Sequence, residues 1–164
     1  MKSVFKYLTE RSFKGSTLVD DKYFPNASRQ GTVEYVEDRL KDGVNPNSLN
    51  DSVHPTTALH FACADANDLA KLKLLLQYGG DLEVLDSNDE TPLLWGCYFT
   101  SVDCVKYLLE KGADVNAKGN EGNCMDVLGG YDHGTRKSRE QTQKDMKTIE
   151  KLLLQHGFKT GFKK

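Results

Sequence analysis

The chain has no run approaching about 18 consecutive apolar residues, so no segment reads as a membrane span. Its first residues, Met1 to Tyr7, lack the apolar stretch of a secretory leader. Cysteine is scarce, with 4 in 164 residues and no Cys-x-x-Cys pair. That excludes a disulfide scaffold and removes the ligand spacing of a zinc site. Cys63, Cys97, Cys104 and Cys124 are instead expected as buried small apolar residues in a reducing, cytoplasmic setting. Positive charge is not in excess: 22 Lys plus Arg stand against 24 Asp plus Glu, net −2, which excludes a strongly basic nucleic-acid binder. The residues present, 38% hydrophobic and 28% charged, suffice for one folded domain and exclude a disordered tail.

The chain repeats itself. One phrase is a leucine pair or its equivalent, two residues, glycine and a short polar-apolar run. It occurs at Arg39 to Asn47, Leu75 to Glu83, Leu108 to Asn116 and Leu153 to Lys159. Its glycines, Gly43, Gly79, Gly112 and Gly157, stand 36, 33 and 45 residues apart. A second phrase lies between them, at Thr57-Ala58-Leu59-His60-Phe61-Ala62 and Thr91-Pro92-Leu93-Leu94-Trp95-Gly96. A worn copy follows at Cys124-Met125-Asp126-Val127-Leu128.

Each unit reads as turn, short helix, longer helix, and the third shows why. Asp86 to Glu90 is polar turn material. Pro92 follows Thr91, where a first-turn proline sacrifices no helical hydrogen bond. Ser101 is expected to cap the next helix, with Asp103 suited to its dipole. Val102, Val105, Leu108 and Leu109 then form one apolar stripe, and Gly112 ends the helix. Such short helices are unstable alone, so each stripe must be buried against neighbouring units.

These phrases resemble ankyrin repeats, whose pattern runs Asp-x-x-Gly-x-Thr-Pro-Leu-His, short helix, Gly, second helix, Gly-Ala-Asp-Val-Asn. Asp86 to Lys118 resembles it over 33 residues, with Asp89 in place of the turn glycine. The second unit has Ala58 for proline and about one extra residue near Ala66. The first keeps its second half, from Gly31, preceded by a degenerate helix around Phe24 to Gln30. The resemblance implies an all-α solenoid of stacked units with protruding turns, at about 22–51, 52–85, 86–118 and 119–159. An arm or cap would occupy 1–21 and a tail 160–164. In the first segment, Val4, Phe5 and Leu8 are expected to pack against the first unit, a flexible binding arm being the alternative.

The segment 129–137 interrupts the fourth unit and is read as a loop leading into a lengthened final helix. Ser138-Arg139-Glu140-Gln141 has the form of a capping box there, and Met146, Ile149, Leu152 and Leu153 supply the stripe. A spacer is expected, with a dedicated binding loop as the alternative. Gly129 to Gly134 spans half of a phosphate-binding loop. Thr135-Arg136 follows in place of Lys-Ser or Lys-Thr, and no strand precedes it. His133 beside Asp132 finds no activated Ser or Cys to pair with. His60 is read as structural, since the family uses this threonine and histidine to hydrogen-bond adjacent turns.

No catalytic residue, metal site or cofactor is therefore expected. The resemblance implies a non-enzymatic protein-binding module working through the concave face of turn tips and first helices. Carried over residue by residue, the contact positions are Val53, His54, Thr56, Ala64 and Asp65 in the second unit. In the third they are Ser87, Asn88, Glu90, Tyr98 and Phe99, and in the fourth Asn120, Glu121 and Asn123. Residues 45–121 hold 12 acidic and 5 basic side chains, which points to a basic protein partner rather than nucleic acid or membrane. A monomer is expected when unbound. A narrower alternative is a small cytosolic inhibitor, immunity or antitoxin-like, neutralising a basic enzyme. One of another class is an enzyme with its site in the 129–137 loop.

Overall fold

The computed structural model describes residues 21–64, 68–130 and 137–159. After a 3₁₀ turn at Asp21–Tyr23, the helices are α1 (Phe24–Gln30), α2 (Val33–Lys41), α3 (Ala58–Cys63), α4 (Leu69–Gln77), α5 (Pro92–Tyr98) and α6 (Val102–Glu110). A minute antiparallel ribbon follows, β1 (Lys118–Gly119) with β2 (Gly122–Asn123), in the register Lys118↔Asn123 and Gly119↔Gly122. The final helix is α7 (Arg139–Gln155). Short helices α1, α3 and α5 stack as an inner row. The longer α2, α4, α6 and α7 stack behind them.

Local chemistry starts and stops these helices where expected. Thr91 Oγ1 accepts from Leu94 N–H at 3.4 Å, with Pro92 in the first turn of α5. Ser138 Oγ accepts from Gln141 N–H at 3.2 Å and starts the lengthened α7. At the far ends, Gly43, Gly79, Gly112 and Gly157 take φ of +91°, +94°, +92° and +89°, the left-handed region a side chain rarely enters. Each closes its helix with two reversed bonds. At Gly112 these run from Gly112 N–H to Leu109 O (3.0 Å) and from Ala113 N–H to Leu108 O (3.0 Å).

Val36, Leu59, Leu72, Leu75, Leu93, Leu94, Val105, Leu108, Ile149 and Leu153 are fully buried in one continuous core. The two rows approach closely at Gly96, where a Cβ would lie 2.9 Å from Val105 Cγ2. Stacking is locked at the loops by a recurring bond. Asn47 Oδ1 accepts from Asp81 N–H (2.7 Å), Glu83 Oε1 from Asp114 N–H (2.8 Å) and Asn116 Oδ1 from Lys159 N–H (2.9 Å). The same position of each loop thus reads the backbone of the next unit.

Four features depart from the sequence reading. Ser101 precedes α6 but its hydroxyl does not cap it; Ser101 Oγ donates to Ala64 O at 3.0 Å and joins two units instead. Cys124 to Leu128 form turns rather than an inner helix. Gly129 follows them at φ +72°. The left-handed residue closing α5 is Thr100, at φ +53°, where the family pattern has glycine between the helices. The turn of the second unit is two residues longer than that of the third. Its closing bond, Asn50 N–H to Thr56 O, spans 50–56, whereas Asp86 N–H to Glu90 O spans 86–90, both at 3.0 Å. The expectations for Val4, Phe5, Leu8, Ala66, His133 and most of the 129–137 loop lie outside the described residues.

Candidate protein-binding surface

The turns project as fingers beside the inner helices. They are tied together by main-chain bonds, Ser87 N–H to Pro55 O (2.9 Å) and Asn120 N–H to Asn88 O (3.2 Å). Backbone pairing leaves the finger side chains free to vary, which suits a recognition edge.

Asp86 organises the third finger. Its Oδ1 accepts from Asn88 N–H (2.8 Å) and Glu90 N–H (3.0 Å), and its Oδ2 accepts from the Trp95 indole N–H (3.0 Å). The buried His60 imidazole donates from Nε2 to Glu90 O at 2.8 Å, since a carbonyl can only accept. Its Nδ1 then accepts from Thr57 Oγ1 at 2.8 Å. Burial pushes His60 down to about 4, against the opposing pull of Glu90 O and Asp86. It is a neutral strut, in keeping with the structural role that the resemblance implies.

Glu90 behaves oppositely. Partial burial, then the Asp86 and Glu121 carboxylates, push its carboxyl up to about 7, opposed by the nearby Trp95 N–H. Among the described residues no ion pair involves Asp86, Asp89, Glu90 or Glu121.

Aromatic rings line the inner helices next to this finger. Trp95 meets Phe61 edge-on at 6.1 Å between centroids, and Phe99 at 5.6 Å and 41°. Tyr98 and Phe99 contact one another at 5.2 Å. Both are half-buried rather than fully open, and the Tyr98 ring abuts Gly130.

The other positions named from sequence divide clearly. Val53 (91% exposed), His54, Ser87, Asn88, Asn120 and Glu121 are exposed on the fingers. Asn123 is half-buried, its Oδ1 accepting from Met125 N–H at 2.9 Å. Thr56 and Ala64 are only 4% and 3% exposed. Thr56 N–H donates to Asn50 Oδ1 (2.9 Å) and Ala64 O receives Ser101 Oγ, so both are spent on holding the stack. Asp65 lies outside the described residues. Sequence reasoning missed Trp95 and Phe61 as surface groups because their spacing reads as core.

All four thiols are buried and reduced. Burial and the neighbouring Cys104 push the Cys63 thiol up, while hydrogen bonding with Cys124 and burial do so at Cys97. Protonated thiols are poor nucleophiles and ligands. A shallow concavity of about 440 Å³ lies on the outer face of α7, at Lys147, Glu150, Lys151, Leu154 and Gln155, away from the fingers.

Stacked helix pairs with a finger edge define a helical-repeat scaffold that works by presenting a surface. The family described as ankyrin repeats (3 copies) matches residues 26–119. Protein phosphatase 1 regulatory subunit 27 of Mus musculus is 34% identical over 119 residues, covering 71% of this chain and 73% of that protein. The Homo sapiens protein of that name is 33% identical over the same shares. Ankyrin repeat domain-containing protein 53 of Homo sapiens is 33% identical over 107 residues, 62% of this chain but 20% of its own length. The chain belongs to the ankyrin-repeat family, whose repeats are protein-interaction modules. No helix among the described residues is long and apolar enough to cross a membrane.

Proposed function

We propose that this chain is a non-catalytic adaptor that binds a protein partner on its concave face, across the finger tips and the inner helices. The observation that carries this reading is the joined finger edge. Exposed Ser87, Asn88, Asn120 and Glu121 stand on fingers fixed by backbone bonds, beside the half-buried rings of Trp95, Tyr98 and Phe99. Val53 and His54 extend the edge on the longer second finger, and Glu90 and Asn123 flank its inner side. The repeat units at about 22–51, 52–85, 86–118 and 119–159 supply this surface. The acidic middle favours a basic partner.

The test is affinity capture from the native cell, identification of the partner, and titration of finger variants against it. Ser87→Arg with Asn120→Arg should weaken binding at least about tenfold while leaving unfolding unchanged. Binding indifferent to this pair, and to Tyr98→Ala with Phe99→Ala, would refute the concave-face reading.

A second reading is favoured by the share of the mouse relative that is matched: this chain is a regulatory subunit that inhibits an enzyme, a phosphatase in particular. Titration into purified protein phosphatase 1 tests it. A stoichiometric complex with altered turnover supports the reading, and absence of any complex at micromolar concentration rejects it.

A further inference from the structure

We propose that Trp95 and Glu90 form a seat for an arginine side chain borne by a basic segment of the partner. The inference rests on the concave-face reading and names the chemistry that this face takes.

The chain already makes one such contact with itself. The Arg29 guanidinium, from α1, lies 5.1 Å from the centroid of Phe61 on α3. Phe61 stands four residues after Thr57, and Trp95 stands four after Thr91, so Trp95 is the equivalent ring one unit along. The inner helix that precedes Trp95, α3 (Ala58–Cys63), carries neither lysine nor arginine. Among the described residues no cation stacks on Trp95. The ring that binds a cation best therefore lacks the one its neighbour has.

That ring is held ready. Asp86 fixes its N–H at 3.0 Å, and His60 meets it edge-on at 5.4 Å and 66°. Glu90 and Trp95 are tied to the same carboxylate, Asp86 accepting from Glu90 N–H at 3.0 Å and from the indole N–H at 3.0 Å, and the Glu90 stem is wedged against the next finger, where a Cβ on Gly119 would lie 2.8 Å from Glu90 Cγ. Asp86 is spent on internal hydrogen bonds; Glu90, flanked by Glu121, is the carboxylate left to pair with a ligand. A planar, weakly hydrated guanidinium can stack on a ring while donating to an adjacent carboxylate, which an ammonium does less well. The partner supplies by charge what these fingers lack.

The chain has a single tryptophan, so indole signals report this position alone. The probe is a synthetic pentapeptide alternating glycine and arginine, titrated into the full chain while the Trp95 N–H resonance and fluorescence are followed. Saturable change at Trp95 is expected. Replacing arginine by citrulline, a neutral isostere, should weaken binding at least about tenfold, and Glu90→Gln about fivefold. Glu110→Gln, on the outer row, should change nothing. Equal binding of the citrulline peptide, or shifts that spare Trp95, would overturn the seat. So would an affinity unaltered by Glu90→Gln. The outcomes also separate the two readings. A protein partner lost with the Ser87 and Asn120 variants but indifferent to Glu90→Gln keeps the concave face and removes the arginine seat. Arginine-peptide binding at Trp95, with a partner indifferent to the fingers, keeps the seat and removes the wider face.

Discussion

His60 of one unit reaches across to the main-chain oxygen of Glu90 in the next, Nε2 to O at 2.8 Å, so one buried imidazole holds two successive fingers in register. Its partner is a carbonyl, not a carboxylate, and so nothing nearby compensates a charged ring fully. Burial dominates and the ring stays neutral.

Acid should therefore act through His60. Its folded-state value, about 4, lies below the 6.5 of a free imidazole, so the unfolded chain takes up the proton first. The stability this contributes is complete above about pH 6.5 and is lost as pH falls towards 4. An NMR titration should show the His60 ring neutral at pH 5. A ring half-protonated near pH 6.5 would contradict the buried, Nε2-protonated strut.

Glu90 gives the opposite slope. Its folded value, about 7, exceeds the 4.5 of a free carboxyl, so stability declines as pH rises between those values. Glu90→Gln should raise the urea midpoint relative to the parent chain at pH 8 and leave it nearly unchanged at pH 4.5. An equal effect at both pH values would mean the carboxyl is not perturbed by its surroundings.

The buried stripes should respond as packed cores do. Leu75→Ala and Leu108→Ala are each expected to cost about 2 to 5 kcal/mol in equilibrium unfolding. Loss of less than about 0.5 kcal/mol at both would be inconsistent with their full burial.

Thr100→Gly tests stored strain. A β-branched residue at φ +53° is strained, and the family pattern carries glycine between its two helices. Thr100 is retained with Lys137 Nζ donating to its carbonyl at 2.7 Å, and Lys137 pairs with Asp145 at 2.7 Å. Relief of the strain should outweigh the weak 3.4 Å contact from Lys137 to the hydroxyl and stabilise the chain by about 0.5 to 1 kcal/mol. Calorimetry at fixed pH reads the sign directly.

Asn47→Ala isolates the loop ladder. It removes the acceptor of Asp81 N–H and the donor to Gly79 O (3.0 Å) at the surface, for about 1 kcal/mol. Hydrogen exchange at the Asp81 amide should accelerate while the Asp114 amide, held by Glu83, keeps its protection.

Much of this architecture is written locally. The four glycines after the leucine pairs, the threonine-proline start of α5 and the Ser138 cap act through bonds to residues three to five positions away, so sequence alone determines them. The Thr57–His60 strut was legible for a different reason: the phrase recurs, and recurrence exposes the family. Tertiary structure decided what depends on which group is nearest in space. The Ser101 hydroxyl has a free carbonyl at Ala64 and leaves its helix uncapped. Thr56 and Ala64 occupy contact positions by pattern, yet their backbones are claimed by Asn50 and Ser101, and burial follows. Trp95 and Phe61 keep a helical spacing that reads as core, and only the stacking of α3 against α5 leaves them half open. Periodicity tells which residues share a helix face; it does not tell whether the neighbouring unit covers that face completely.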